Sequence, residues 1–101
     1  MNTAQLKQKT LTDTNQQDLI KGEFSPEDAM EIINHLFSEK INFHGMRSFS
    51  NKVRFGEIDH VSEARIVELK QSNIELNGVI KSAKSQGKTL KIESVVTMEI
   101  I

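Results

Sequence analysis

The residues best suited to bind a ligand lie in a basic, aromatic segment at residues 41–56. This segment contains no acidic residue and interleaves three phenylalanines with cations and one histidine. Cationic side chains bind phosphates and carboxylates through charge-assisted hydrogen bonds, and aromatic rings stack on nucleobases. We therefore predict an anionic-ligand site formed by His44, Arg47, Phe49, Lys52 and Arg54. In the alternative interpretation, the phenylalanines anchor an irregular loop on the core and the cations only face solvent.

Catalytic and metal chemistry find little support in the residue pattern. The three histidines, His35, His44 and His60, have no compact metal-ligand spacing. Asp59 and His60 are adjacent on a predicted helix, so their side chains point in different directions. The chain has no phosphate-binding glycine loop, dinucleotide turn or paired-carboxylate motif. We predict no metal, no cofactor and no enzymatic activity; the remaining enzymatic alternative is a site between subunits with His44 as acid or base.

A first helix is predicted at about residues 26–40. Ser25 can cap it, Pro26 suits the first helical position, and Glu27 and Asp28 complement the helix dipole. Beyond it the apolar periodicity stops, and Gly45 and Gly56 interrupt the chain. Residues 41–56 are therefore predicted to be mostly loop, with a short strand at 41–43.

A second, longer helix is predicted at about residues 59–86, capped by Asp59 and ended by a left-handed Gly87. Its apolar seam alternates spacings of four and three, as in a coiled pair of helices, and consists of Ser62, Ile66, Leu69, Asn73, Leu76, Ile80 and Ala83. An amide at Asn73 could pair with the same amide of a second copy and fix the register. Alternatively, the helix covers the chain's own sheet and Asn73 lies at the edge of that contact.

The C-terminal residues 89–101 alternate apolar and polar side chains with period two, which predicts a long amphipathic strand. The chain offers this strand only weak partners, at residues 18–24 and 41–43, so a strand of a second copy could supply the missing edge. The predicted contact between copies comprises Ile66, Leu69, Asn73, Leu76, Ile80, Val96 and Met98. We expect a homo-oligomer, with a dimer favoured over a higher oligomer.

The fold class predicted from these elements is α+β, with both helices packed on a small antiparallel sheet. Residues 1–16 are expected to be a flexible polar arm, and residues 17–101 a single domain. Thirteen basic and fourteen acidic residues give a net charge of −1, so only a local patch could favour nucleic acid. The chain has no cysteine and no apolar run long enough to span a bilayer. We expect a cytoplasmic protein with no membrane contact.

Three short runs, IKGEFSPEDA at residues 20–29, INFH at 41–44 and RFG at 54–56, resemble sequences of short uncharacterised bacterial proteins. This resemblance implies no activity or ligand. From the residues themselves we expect a non-enzymatic interaction module that self-associates and binds a protein or anionic ligand. The alternative is nucleic-acid or nucleotide binding through residues 41–56.

Overall fold

The computed structural model describes residues 14–101. Strand β1 spans Thr14–Phe24, helix α1 Pro26–Phe55, helix α2 His60–Ser85 and strand β2 Leu90–Glu99. The two strands pair as an antiparallel sheet. The predicted α+β class, with two helices and a long C-terminal strand, is confirmed. The described residues form two compact units, namely the helices with their flanks at Phe24–Leu90, and the paired strands at 14–23 and Lys91–Ile101. The expectation of one domain over residues 17–101 stays a prediction.

Helix α1 begins as predicted but is twice as long as predicted. The Ser25 hydroxyl accepts a hydrogen bond from the Asp28 amide at 3.1 Å, and Pro26 follows it. The helix then continues to Phe55, so the prediction of a loop at 41–56 with a strand at 41–43 is wrong. A single glycine inside a helix costs only about 1 kcal/mol, and Gly45 is tolerated on that account. The helix ends at Gly56, which takes a left-handed conformation with φ 66°.

The bounds predicted for helix α2 hold to within one residue at each end. The Asp59 carboxylate accepts a hydrogen bond from the Ser62 amide at 3.1 Å and a second from the Ser62 hydroxyl at 2.8 Å. After Ser85 the chain turns through Gly87, whose φ of 67° confirms the predicted left-handed position. The Lys88 amide bonds back to the Ala83 carbonyl at 2.9 Å, which closes the helix end.

The two helices pack antiparallel as a hairpin in a single register. Side chains meet as Glu27 with Lys84, Asn34 with Asn77 and Ser48 with Glu63, so the two numbers in each pair add to 111. The sum is the same from residue 27 to residue 48 of α1, so the two helices keep one register along this contact. The row of α1 that takes part is half-buried throughout and alternates spacings of four and three: Met30, Asn34, Phe37, Ile41, His44, Ser48 and Asn51.

The predicted seam of α2 therefore contacts α1 of the same chain, a partner that the sequence analysis did not consider. Ser62, Leu69 and Ile80 are buried, and Ile66, Asn73 and Ala83 are half-buried. The Asn77 amide lies beside the seam and donates to Asn73 Oδ1 at 3.0 Å and to Asn34 Oδ1 at 3.1 Å. Amide groups thus satisfy one another across the hairpin, which limits the cost of placing them in a helix contact.

The sheet contains two strands of eleven and ten residues. Strand β1 extends the weak strand predicted at 18–24 back to Thr14, so the expected flexible arm is wrong for residues 14–16; its remainder lies outside the described residues. In β2 the row Leu90, Ile92 and Ser94 is half-buried, as the predicted alternation requires, but Val96 and Met98 on the same row are exposed.

Candidate functional site

The five residues predicted to bind an anion lie on the second half of α1 rather than on a loop. Helical geometry distributes them around the axis: Arg47 and Arg54, seven residues apart, share one flank, whereas Lys52 lies on the opposite flank. His44 belongs to the row that faces α2, and Phe49 points away from α2. The structure thus brings together two of the five residues, Arg47 and Arg54.

Arg47 and Arg54 line a groove of about 250 Å³ near the tip of the hairpin. Ser50, Asn51, Phe55 and Asp59 complete its walls. The hydrogen bond from the Ser62 amide, reinforced by the Ser62 hydroxyl, holds the pKa of the Asp59 carboxyl below its usual value of 3.8, and the charge of Arg47 adds to this effect. The groove therefore contains one carboxylate against two guanidinium groups, which leaves a net positive charge.

His44 is the one predicted site residue whose polar atoms are enclosed by the protein. Both ring nitrogens are buried, and neither has a hydrogen-bond partner among residues 14–101. Its ring meets the Phe43 ring edge-on, with centroids 5.3 Å apart. Because the ring lies in the helix contact and away from the arginine groove, His44 and the two arginines do not form one site.

An exposed apolar face on α1 is the feature that the sequence analysis missed. Met46, Phe49 and Val53 are spaced three and four residues apart and are 74%, 71% and 67% exposed. On the flank, Lys40 and Arg47 both approach the Phe43 ring, with Nζ at 5.1 Å and Cζ at 5.7 Å from its centroid. The helical spacing of Met46, Phe49 and Val53 could have indicated this face, but residues 41–56 were predicted to be a loop, for which helical spacing has no meaning. The face formed by Met46, Phe49 and Val53 is called the α1 apolar face.

The residues predicted to contact another copy lie in different environments. Leu69 and Ile80 are buried inside the hairpin, and Ile66 and Asn73 are half-buried there. Leu76, Val96 and Met98 are exposed at 39%, 43% and 70%. The surface that one chain offers to another thus includes only the last three of the predicted seven. For these three, a contact between copies stays a prediction.

Within residues 14–101, no three histidine or acidic side chains converge in a way that could hold a metal ion. Neither helix in this part of the chain is long and apolar enough to cross a membrane. Comparisons with protein-family models, curated proteins and solved structures gave no match to the chain. The contacts and exposed surfaces described above are therefore the basis for a functional proposal.

Proposed function

We propose that this protein is a non-enzymatic interaction module that works as a homo-oligomer. The observation that carries the proposal is the balance of apolar side chains in residues 14–101. Four of them are buried, namely Ala29, Ile33, Leu69 and Ile80, whereas seventeen large ones are exposed, including Leu76, Val96 and Met98. Single exposed apolar residues are ordinary, but contiguous exposed apolar surface on a soluble chain usually marks a contact site.

The paired strands support the same proposal. A sheet of two strands is at best marginally stable in water, and within residues 14–101 no further strand pairs with the outer edge of β2. The exposed row at the end of β2, with Val96 and Met98, lies beside such an edge. An antiparallel contact between the β2 strands of two copies would pair these groups and cover that row.

Single cysteines provide a direct test of strand pairing because the natural chain contains none. Val96→Cys, Ser94→Cys and Met98→Cys are oxidised one at a time, and dimer formation is followed on non-reducing gels. Antiparallel pairing about a two-fold axis brings one position opposite itself, so we expect one variant to cross-link far faster than the others. Lys70→Cys on α2 is the control. Equal, slow cross-linking of all four variants would refute the strand contact.

A second candidate function, binding of a nucleotide or another phosphate-bearing ligand, is favoured by the shared groove of Arg47 and Arg54. Affinity for a fluorescent oligonucleotide should then fall steeply as salt rises, and Arg54→Gln should reduce that slope by about one. The control is Arg65→Gln, whose guanidinium already pairs with Glu68 at 2.9 Å. Absence of binding at low salt would remove this candidate. Because a chain without cysteine suits a reducing compartment, the proposal places the protein in the cytoplasm.

A further inference from the structure

The row of side chains on the outer side of α1 changes from polar to apolar half-way along the helix. Spacings of three and four place eight exposed residues on this row: Asp28, Glu31, His35, Glu39, Asn42, Met46, Phe49 and Val53. The first five are polar and the last three apolar. The charges divide in the same way, since residues 26–39 contain four acids and no lysine or arginine, and residues 40–55 contain four bases and no acid.

The four bases of the second half, Lys40, Arg47, Lys52 and Arg54, border the α1 apolar face on both sides. None of them forms an ion pair with a carboxylate of residues 14–101, although four other pairs exist there. Met46, Phe49 and Val53 each leave at least two-thirds of their surface open to solvent, and the largest apolar patch on a typical monomer, ~300–600 Å², is often functional. The face thus combines an apolar centre with a basic rim that forms no ion pair of 4 Å or less within residues 14–101.

Charge argues against a second copy as the occupant of this face. Contact of the face with itself would set four cations against four cations, and like charges across an interface disfavour association. If the copy slid along α1 to relieve this repulsion, the acidic half of its row would meet Met46 and Phe49 and leave them without an apolar partner. A phosphate alone would meet the cations of one flank only and would not cover the apolar centre.

We infer that the α1 apolar face binds an amphipathic helix of another protein, one with an apolar stripe flanked by acidic residues. Such a helix would bury Met46, Phe49 and Val53 against its stripe and bring carboxylates to the four cations. Helix-on-helix packing suits the three-and-four spacing of this face. The inference rests on the proposed interaction role and names the class of partner, but it does not require self-association.

Two synthetic peptides of about 18 residues test the inference, with the same leucine stripe but flanks of glutamate in one and lysine in the other. Binding to the full chain is followed by fluorescence anisotropy at physiological salt. We expect the glutamate peptide to bind at least about tenfold more tightly than the lysine peptide. Val53→Ser should weaken this binding by about fivefold to tenfold. The matched control is Val67→Ser, because Val67 is equally exposed, at 68%, but lies on α2.

Three results would overturn the inference. The lysine peptide could bind as tightly as the glutamate peptide, or Val53→Ser could bind as well as Val67→Ser. Alternatively, Val53→Ser could lower the mass in solution, which would make the face a contact between copies.

Sedimentation with vesicles of phosphatidylcholine and phosphatidylglycerol is a separate experiment. Vesicle binding by the parent and by Val67→Ser that is lost in Val53→Ser would identify a lipid surface as the occupant instead. A monomeric parent that still binds the glutamate peptide would refute self-association and support this inference.

Discussion

Replacement of the paired amides Asn34 and Asn77 by leucine tests the helix register more sharply than any other change. The two side chains exchange hydrogen bonds of 3.1 Å and 3.4 Å between α1 and α2. Asn77 Nδ2 also approaches the Asn73 carbonyl at 2.7 Å and Asn73 Oδ1 at 3.0 Å. Two N–H groups therefore serve three acceptors, and the loss of either amide leaves half-buried polar atoms without a partner.

The expected energies follow from the cost of an orphaned amide. Asn34→Leu leaves Asn77 Oδ1 without its donor, and Asn77→Leu leaves the Asn34 amide and Asn73 Oδ1 without their partners. Each single variant should therefore lower the free energy of unfolding by about 1–2 kcal/mol. The double variant removes both facing amides and places two leucines in contact, and only Asn73 Oδ1 loses its donor, so its loss should be no more than about 1 kcal/mol. The coupling energy of the double-mutant cycle, the two single losses minus the loss in the double variant, should thus reach about 1–4 kcal/mol.

Urea unfolding followed by far-UV circular dichroism measures this cycle, with all four proteins at the same concentration because oligomerisation shifts apparent stability. Glu27→Ala with Lys84→Ala gives a matched control cycle in the same register. That ion pair is exposed and 3.5 Å long, so its coupling should stay below about 1 kcal/mol. A coupling energy between Asn34 and Asn77 below about 0.3 kcal/mol would mean that the two amides do not meet, and it would refute the register.

Three further predictions concern single positions in the helical hairpin. His44→Leu should raise the free energy of unfolding by about 1–2 kcal/mol, because its enclosed nitrogens lack partners among residues 14–101; a fall would show that His44 has a partner outside them. Asp59→Ala should destabilise at neutral pH, and because the folded pKa lies below 3.8 this effect should fade as pH falls below about 4. Ser25→Ala, which removes a cap that does not titrate, is the control, and an Asp59 effect that does not weaken at all as pH falls below 3.8 would contradict the cap. Gly78→Ala should stabilise α2 by about 0.5–1 kcal/mol, since a methyl group there meets nothing within 4 Å. Gly56→Ala, equally open but left-handed, should destabilise by about 1 kcal/mol, and equal effects of the two changes in urea unfolding would be inconsistent with the left-handed turn.

Sequence patterns that span only a few residues correctly predicted where the helices begin, where α2 ends and that the C-terminal residues form a strand. The caps at Ser25 and Asp59, the left-handed Gly87 and the period-two alternation of the C-terminal strand all have direct physical causes in the local sequence. Each of them appears in the structure at the predicted place.

The second half of α1 could not be found from apolar periodicity because its pattern is inverted. The residues that face α2 there are His44, Ser48 and Asn51, whereas Met46 and Phe49 face outward. Residues 41–56 therefore lack the inward apolar pattern that indicates a helix, and the sequence predicts a loop there. The same inversion explains why the α1 apolar face was missed, since no element within residues 14–101 covers it.

Assignment of the α2 seam shows a different limit of sequence reasoning. The four-and-three spacing correctly indicates a helix partner, but spacing alone does not say whether that partner is a second copy or an earlier helix of the same chain. The sequence favours a second copy or the chain's own sheet as that partner, and α1, predicted to end at residue 40, is not among them. In the structure α1 continues to Phe55, and Leu69 and Ile80 are buried inside the hairpin.

The mass in solution, measured by light scattering over a concentration series, tests the proposed oligomer most directly. We predict a mass that is a stable multiple of 11.4 kDa, with the dimer favoured, and dissociation only on dilution. Val96→Glu, which places a charge beside the open edge of β2, should shift the mass toward that of one chain. A mass of 11.4 kDa at every concentration would contradict self-association and leave the exposed surface to partners of other kinds.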